Sequence, residues 1–229
     1  MIQAKRSVLF AVLLFTSSII LYAQNTLITG ATLHLGDGEK IEQGYLGIDI
    51  EGRIDYVGTS APLENYNRRI NAEGAHVYPG FILPNTSLGL VEIGAVRASR
   101  DQAEVGAFNP NVRSLIAFNC ESDIIPTAMD NGVLLAQITP RSGWISGTSS
   151  IVSLDCWNWE DAVVKQDDAI HLNWPAPVIR KGWWAEPGGI ERNKNYDKQL
   201  ADIQDFLSAA KAFNQGKSGL KDLRYAACA

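Results

Sequence analysis

Residues 77–95, VYPGFILPNTSLGLVEIGA, decide how the rest of the chain is interpreted. The stretch begins with Pro79-Gly80 and continues as an apolar run, Phe81-Ile82-Leu83, which is typical of a β-strand. Because side chains alternate between the two faces of a strand, Leu83, Asn85 and Ser87 are expected to share one face. Short β-like segments precede this strand, and alternating strand and helix patterns follow it.

Composition and charge define a broad class of protein. The 229 residues are 46% hydrophobic and 20% charged, as in ordinary globular proteins. This length buries a sizeable core in one domain or two small ones. A net charge of −5 argues against a nucleic-acid partner, which would need a basic surface. Three scattered cysteines allow one Cys120–Cys156 disulfide, but unpaired buried thiols are the favoured interpretation.

Residues 1–23 are typical of an export signal. Lys5 and Arg6 precede an apolar run, and the small residue Ala23 marks a cleavage point. The alternative is an uncleaved anchor, but the run is shorter than the roughly 20 residues that span a bilayer. We therefore expect a protein of the periplasm or cell envelope that has no membrane contact after signal cleavage.

The segments before and after residues 77–95 predict two architectures. Residues 24–78 contain short strand candidates separated by glycine turns, which indicates a small antiparallel sheet or sandwich. Farther along, residues 111–129 favour a helix interrupted at Pro126, and residues 133–139 favour a buried strand. A helix that leads into an apolar strand predicts a parallel β-α-β unit.

The remaining segments predict loops and one long helix. Residues 141–150 are expected to form a plain turn, residues 159–165 a short helix or turn, and residues 171–187 a loop rich in Trp and Pro. Residues 195–215 favour a helix that Gly216 ends.

The three histidines are not expected to be metal ligands. His34 is interpreted as an exposed strand residue and His76 as a loop residue. No second ligand-type residue lies near His171 at ligand spacing.

Residues 79–89 resemble the first barrel strand of the amidohydrolase superfamily. The usual sequence motif of that strand is Pro-Gly-hydrophobic-Ile-Asp-x-His-x-His-Leu-Gly. Seven positions match this motif: Pro79, Gly80, Phe81, Ile82, Thr86, Leu88 and Gly89. Leu83 stands in the position of the Asp, and Asn85-Thr86-Ser87 replaces the His-x-His pair. Residues 26–57 resemble the N-terminal β-segment of the superfamily. Residues 109–132, 138–155 and 157–162 are similar to an exported, imidazolonepropionase-like subgroup.

The resemblance implies an α/β fold. A small N-terminal β-sandwich segment would be followed, over residues 79–229, by an incomplete (β/α)₈ TIM-type barrel. A full barrel takes roughly 250 residues. The resemblance places the later metal ligands, a Lys or Glu, two His and an Asp, beyond Ala229. We therefore expect the sequence to be the N-terminal portion of a longer protein.

The chemistry that the resemblance implies is metal-dependent hydrolysis of non-peptide C–N bonds with Zn or another divalent metal. With its His pair replaced, this chain is expected to hold no metal and no other cofactor, and to be catalytically incomplete with no catalytic residue. Four residues are candidates to line a pocket for a small-molecule substrate or ligand: Asn85, Ser87, Glu92 and Arg97. For Glu92 and Arg97, the favoured alternative is a solvated loop whose charges pair locally. The alternative function is a non-catalytic exported binding protein on the same scaffold.

Overall fold

The computed structural model describes residues 24–217 and 221–228. The chain separates into two compact units, the first ending at Pro79 and the second beginning at Gly80. The predicted export signal, residues 1–23, lies outside the described residues. No helix in the described ranges is long and apolar enough to cross a membrane.

The described residues of the first unit form a single mixed sheet of five strands. Its strands are β1 (Thr26–His34), β2 (Lys40–Ile48), β3 (Ile54–Gly58), β4 (Arg68–Asn71) and β5 (His76–Val77). The order is β3-β2-β1-β4, and β5 pairs with the end of β1. Strands β1 to β3 are antiparallel, whereas β4 and β5 run parallel to β1. The prediction of short strands is confirmed, but the described residues form one layer that is only partly antiparallel.

Residue alternation in β1 gives this sheet a buried face and an exposed face. Ala31 and Leu33 are buried with Leu46 of β2, and Val77 of β5 packs against them. Because Leu33 pairs with Val77, the neighbouring positions Thr32, His34 and His76 belong to the opposite face.

The second unit contains a four-stranded sheet of order β6-β7-β8-β9. These strands are β6 (Phe81–Thr86), β7 (Val133–Ile138), β8 (Ile145–Ser153) and β9 (Val163–Leu172). Helix α1 (Ile124–Asp130) precedes β7, and β6 and β7 are parallel, so the predicted parallel β-α-β unit is confirmed. A hairpin of β10 (Val178–Gly182) and β11 (Pro187–Arg192) is followed by α2 (Tyr196–Asn214) and α3 (Leu223–Cys228).

The sheets of the described residues are open, and the predicted TIM-type barrel is not observed. Barrel strands are all parallel, but β8 is antiparallel to both β7 and β9. The short stretch between Ile138 and Ile145 cannot hold the crossover of a dozen or more residues that a parallel pair requires. The structure is thus a mixed α/β fold dominated by sheets.

Two loop predictions were wrong for a related reason. The Gly/Ser stretch predicted as a turn contributes the first six of the nine residues of β8. Of the short helix or turn predicted at residues 159–165, residues 159–162 are a turn as predicted, and β9 begins at Val163. Most of the loop predicted at residues 171–187 belongs to β9 and to the β10–β11 hairpin. Cross-strand pairing therefore determined the strand structure of these segments, whereas their composition had indicated loops.

Two predicted helices have different outcomes. The helix predicted at residues 111–129 is a 3-10 turn, Ser114–Ala117, followed by α1. Pro126 lies in the first turn of α1, where backbone N–H groups have no intrahelical acceptor, so the proline does not interrupt a helix. The helix predicted at residues 195–215 is confirmed as α2, and Gly216 follows it with a φ of +66°.

The core of the second unit lies on one face of the four-stranded sheet. Leu115, Ile125, Ile138 and Val152 are each at most 2% exposed and form one cluster. Burying a side chain of this size contributes about 1.5–3 kcal/mol. The polar side chains described below therefore project from a sheet that is well supported on one face.

Candidate functional site

The end of β6 does not continue as a regular strand. Asn85 has a φ of +50°, and the pairing of β6 with β7 shifts register between Leu83 and Thr86. Leu83 packs against the buried core, whereas Asn85 is exposed and Ser87 follows the end of the strand. The expectation that Leu83, Asn85 and Ser87 share one face is therefore wrong, because the shift interrupts the alternation.

Two side chains fix the backbone of Asn85. Gln137 of β7 accepts a hydrogen bond from the Asn85 N–H at 3.1 Å. The Arg141 guanidinium donates to the Asn85 carbonyl oxygen. Asn is among the few non-glycine residues that tolerate this left-handed conformation. The loop after β7 and the end of β6 are thus joined at one residue.

Gln137 is the centre of a polar cluster that spans the sheet. Its Nε2 donates to Asp168 Oδ2 of β9 at 2.8 Å and to Ser149 Oγ of β8 at 3.4 Å. Asp168 is also paired with Lys165, whose Nζ lies 2.7 Å from Oδ1. We call Asn85, Gln137, Ser149, Lys165 and Asp168 the Gln137 cluster. It connects all four strands through one side-chain amide.

The electrostatics of the cluster keep its carboxylate ionised. The hydrogen bond from Lys165, followed by that from Gln137, lowers the pKa of Asp168 below its usual 3.8. The Asp168 side chain is 16% exposed, so this negative charge is largely shielded from solvent.

His171, farther along β9, has an unusual environment. Its Nε2 atom is buried and has no hydrogen-bond partner among the described residues. Burial lowers the pKa of His171, and the positive charge of Arg141 lowers it further, while Asp168 acts in the opposite direction. The unused nitrogen of the neutral His171 imidazole lies next to the Gln137 cluster. It can form one hydrogen bond with a bound molecule, as donor or acceptor according to the tautomer.

Glu92 and Arg97 do not join Asn85. The Glu92 carboxylate accepts hydrogen bonds from Asn119 Nδ2 at 3.1 Å and from Ser122 Oγ at 2.8 Å. Glu92 therefore holds its loop to two neutral side chains that are distant in sequence, and the local pairing of opposite charges favoured from the sequence is not observed for Glu92 among the described residues.

Arg97 lines a cavity outside the Gln137 cluster. The cavity has a volume of about 310 Å³, and Arg100 and Glu104 also line it. Asn85 and Ser87 are not among the described residues that surround this cavity. Arg97 also donates to the Arg100 carbonyl oxygen at 3.2 Å.

The groups at the end of β6 do not fit the divalent metal that the resemblance implies. Zinc and related ions in proteins favour imidazole and thiolate ligands, or a carboxylate. Asn85 and Ser87 supply a neutral amide and a hydroxyl, and Leu83 supplies no donor. Within residues 24–217 and 221–228, no three His, Cys, Asp or Glu side chains are grouped to hold a metal ion.

Sequence reasoning missed most of the Gln137 cluster. Gln137, Ser149 and Asp168 belong to no motif, and Asp168 and His171 lie three positions apart, a spacing that regular alternation places on opposite faces. Asp167 has a φ of +51° beside a register shift in β9, and this irregularity changes the alternation. The only sequence signal was the density of polar residues in a strand that follows an apolar one.

Comparison with known proteins identifies a shared fold. No family model and no curated protein matches the sequence. An amidohydrolase from Thermotoga maritima superposes with a TM-score of 0.70 at 18% identity, over 89% of this chain and 54% of that chain. The chain therefore shares its fold with an amidohydrolase and spans about half the length of that protein.

Two further solved structures are similar over smaller parts of the chain. A prolidase complexed with N-methylphosphonate-L-proline matches at a TM-score of 0.30 and 23% identity, over 49% of this chain and 25% of that chain. An uncharacterized protein matches at a TM-score of 0.23 and 31% identity, over 26% and 15% of the two chains. At these TM-scores neither match carries an argument about fold or function.

Proposed function

We propose that this chain is an amidohydrolase-related protein of the class that hydrolyses non-peptide C–N bonds, and that it is catalytically incomplete at the end of β6. The observation that carries the proposal is the fold shared with the Thermotoga maritima amidohydrolase over 89% of the chain. The parallel β6-α1-β7 unit supports it, because barrel enzymes place their sites at the C-terminal ends of such strands.

The incompleteness follows from the donor groups. In the superfamily a bound metal ion supplies an activated water. Asn85 and Ser87 have neither the charge nor the nitrogen donors to hold that ion, so we derive no hydrolytic step through them. What Asn85 does in this chain is hold the end of β6 against Gln137 and Arg141 through its backbone N–H and carbonyl oxygen.

A second candidate function is ligand binding without hydrolysis. The specific observation that favours it is the buried, unpartnered Nε2 of His171 beside Asp168 and Arg141. A buried polar atom without a partner is costly, so a ligand group that hydrogen-bonds it would be stabilised. The ligand would be a small molecule with a group that can hydrogen-bond an imidazole nitrogen.

A ligand screen tests both candidates. The purified chain would be mixed with N-acyl amino acids and cyclic amides, with and without added zinc, and both melting temperature and product formation would be measured. We expect no product from any compound. A compound that raises the melting temperature should do so less for His171→Gln than for the wild type, while the control Asp222→Asn behaves as the wild type does. Zinc-dependent turnover that Asn85→Ala abolishes would overturn the proposed incompleteness.

Export is part of the proposal. The charged start, apolar run and small residue at position 23 support cleavage after Ala23 and release to the periplasm or cell envelope. Mass spectrometry of the secreted protein should find Gln24 at its N-terminus. Recovery of the exported protein with residues 1–23 attached would support a retained anchor.

A further inference from the structure

We propose that His34 and His76 form a binding site for a divalent transition-metal ion on the exposed face of the five-stranded sheet. The two imidazoles come from different strands, β1 and β5, and 42 positions separate them in sequence. His34 Nε2 and His76 Nδ1 lie 3.0 Å apart. This site belongs to the first unit and does not depend on the proposed function.

The pairing of β1 with β5 brings the two histidines close together. Thr32 pairs with His76 and Leu33 pairs with Val77, so His34 lies two residues beyond the partner of His76 and projects from the same face. The Thr32 N–H donates to the Ala75 carbonyl oxygen at 2.9 Å, which holds β5 at this register. Because the other face of both strands is buried, the histidine backbones are held without any ligand.

The nitrogen separation suits a chelated ion. Imidazole nitrogens bind zinc at about 2.0–2.1 Å, so two of them lie about 2.9 Å apart at a right angle and about 3.3 Å apart at a tetrahedral angle. The observed 3.0 Å lies between these values. For their lone pairs to converge on one ion, both rings must rotate away from the N···N line, and the broad terminal torsion of a His side chain allows such a rotation.

The proton balance of binding is simple. In the N···N contact, one of the two facing nitrogens carries a proton and donates a hydrogen bond to the other nitrogen. When an ion binds both nitrogens, that proton moves to the other nitrogen of its own ring. Two neutral imidazoles thus become two ligands without a net release of protons, and the ion takes the place of the hydrogen bond.

The surroundings favour the site in two ways. Tyr78 stacks on His34 with ring centroids 4.1 Å apart and an angle of 13°, which restrains the ring. Lys40, the residue opposite His34 on β2, is paired with Glu42 at 2.8 Å, so its positive charge is balanced.

Imidazole ligands suit Cu²⁺, Ni²⁺ and Zn²⁺, and the usual affinity order places Cu²⁺ first. With two protein ligands, the remaining coordination positions belong to water.

Metal titration tests the site directly, because the chain has three histidines and the third provides a matched control. The protein, prepared without a histidine tag, would be titrated with Ni²⁺ by calorimetry and with Cu²⁺ by electron paramagnetic resonance. We expect one ion per chain with two nitrogen ligands. His34→Gln and His76→Gln should each weaken binding by about tenfold or more. His171→Gln should leave it unchanged.

A double-mutant cycle separates a chelate from two independent weak sites. In a chelate, removing the second histidine after the first costs little more, so the effects of His34→Gln and His76→Gln are not additive. Each variant would also be melted without metal to establish that it is folded, and Ni²⁺ should raise the melting temperature of only the wild type and His171→Gln. Additive losses, halved stoichiometry at unchanged affinity, or equal binding by the double variant would overturn the proposal.

Discussion

Replacing Glu92 with alanine should destabilise the second unit, because its carboxylate completes a partly buried hydrogen bond. Glu92 Oε2 accepts the Ser122 hydroxyl at 2.8 Å, and Ser122 is only 2% exposed. The second contact, from Asn119, is solvent-exposed, and water can replace it. A hydrogen bond to a charged group contributes about 1.5–3 kcal/mol. We expect Glu92→Ala to lower the free energy of unfolding by about that amount.

Urea unfolding followed by circular dichroism measures this loss, and Glu104→Ala in the same loop is the matched control. Among the described residues, the Glu104 carboxylate accepts only its neighbour's N–H, from Val105 at 2.9 Å, and both residues are exposed. Its removal should change stability by less than about 0.5 kcal/mol. Glu92→Gln keeps an oxygen for Ser122 and should fall between the two. Equal stability of Glu92→Ala and Glu104→Ala would refute the structural role and return Glu92 to the list of pocket candidates.

Three further outcomes follow from the site and its surroundings. The pKa of His171 should lie below its ordinary value of 6.5, and the stability that the neutral imidazole contributes should be lost as pH falls from 6.5 through that lower pKa; imidazole NMR shifts measure this. Oxidation should join Cys120 to Cys156, which are both free and pack against the same core cluster, and the 35 intervening residues predict a gain of about 4 kcal/mol in unfolding free energy, checked by melting with and without reductant. Burial, with the bond to Asp55, raises the pKa of Tyr66 to about 12, so stability should fall between pH 10 and 12 as measured by tyrosinate absorbance alongside unfolding.

The sequence predicted the elements that local chemistry determines. Helix α2 has apolar residues at helical spacing and a terminal glycine, and both ends lie within one residue of the predicted bounds. The parallel β6-α1-β7 unit follows from an apolar strand that comes directly after a helix pattern. In these cases burial and backbone preference agree.

The remaining elements depend on pairing between distant residues. The first six residues of β8, ISGTSS, have the composition of a loop but are largely buried because β7 and β9 flank the strand. Asp168 and His171 are brought near Gln137 by an irregular strand, which no period reveals. His34 and His76 meet because β5 joins β1 in parallel, and two residues are too short a strand for a pattern to predict.

Zinc retention by a His34→Gln/His76→Gln variant tests most directly the claim that the end of β6 holds no catalytic metal. The background removes the surface pair, so any remaining ion must bind elsewhere. The variant would be incubated with excess zinc, separated from free ion by gel filtration and measured by mass spectrometry of the metal. We predict far less than one zinc per chain, unchanged by Asn85→Ala. One zinc per chain that is lost on Asn85→Ala would contradict the account.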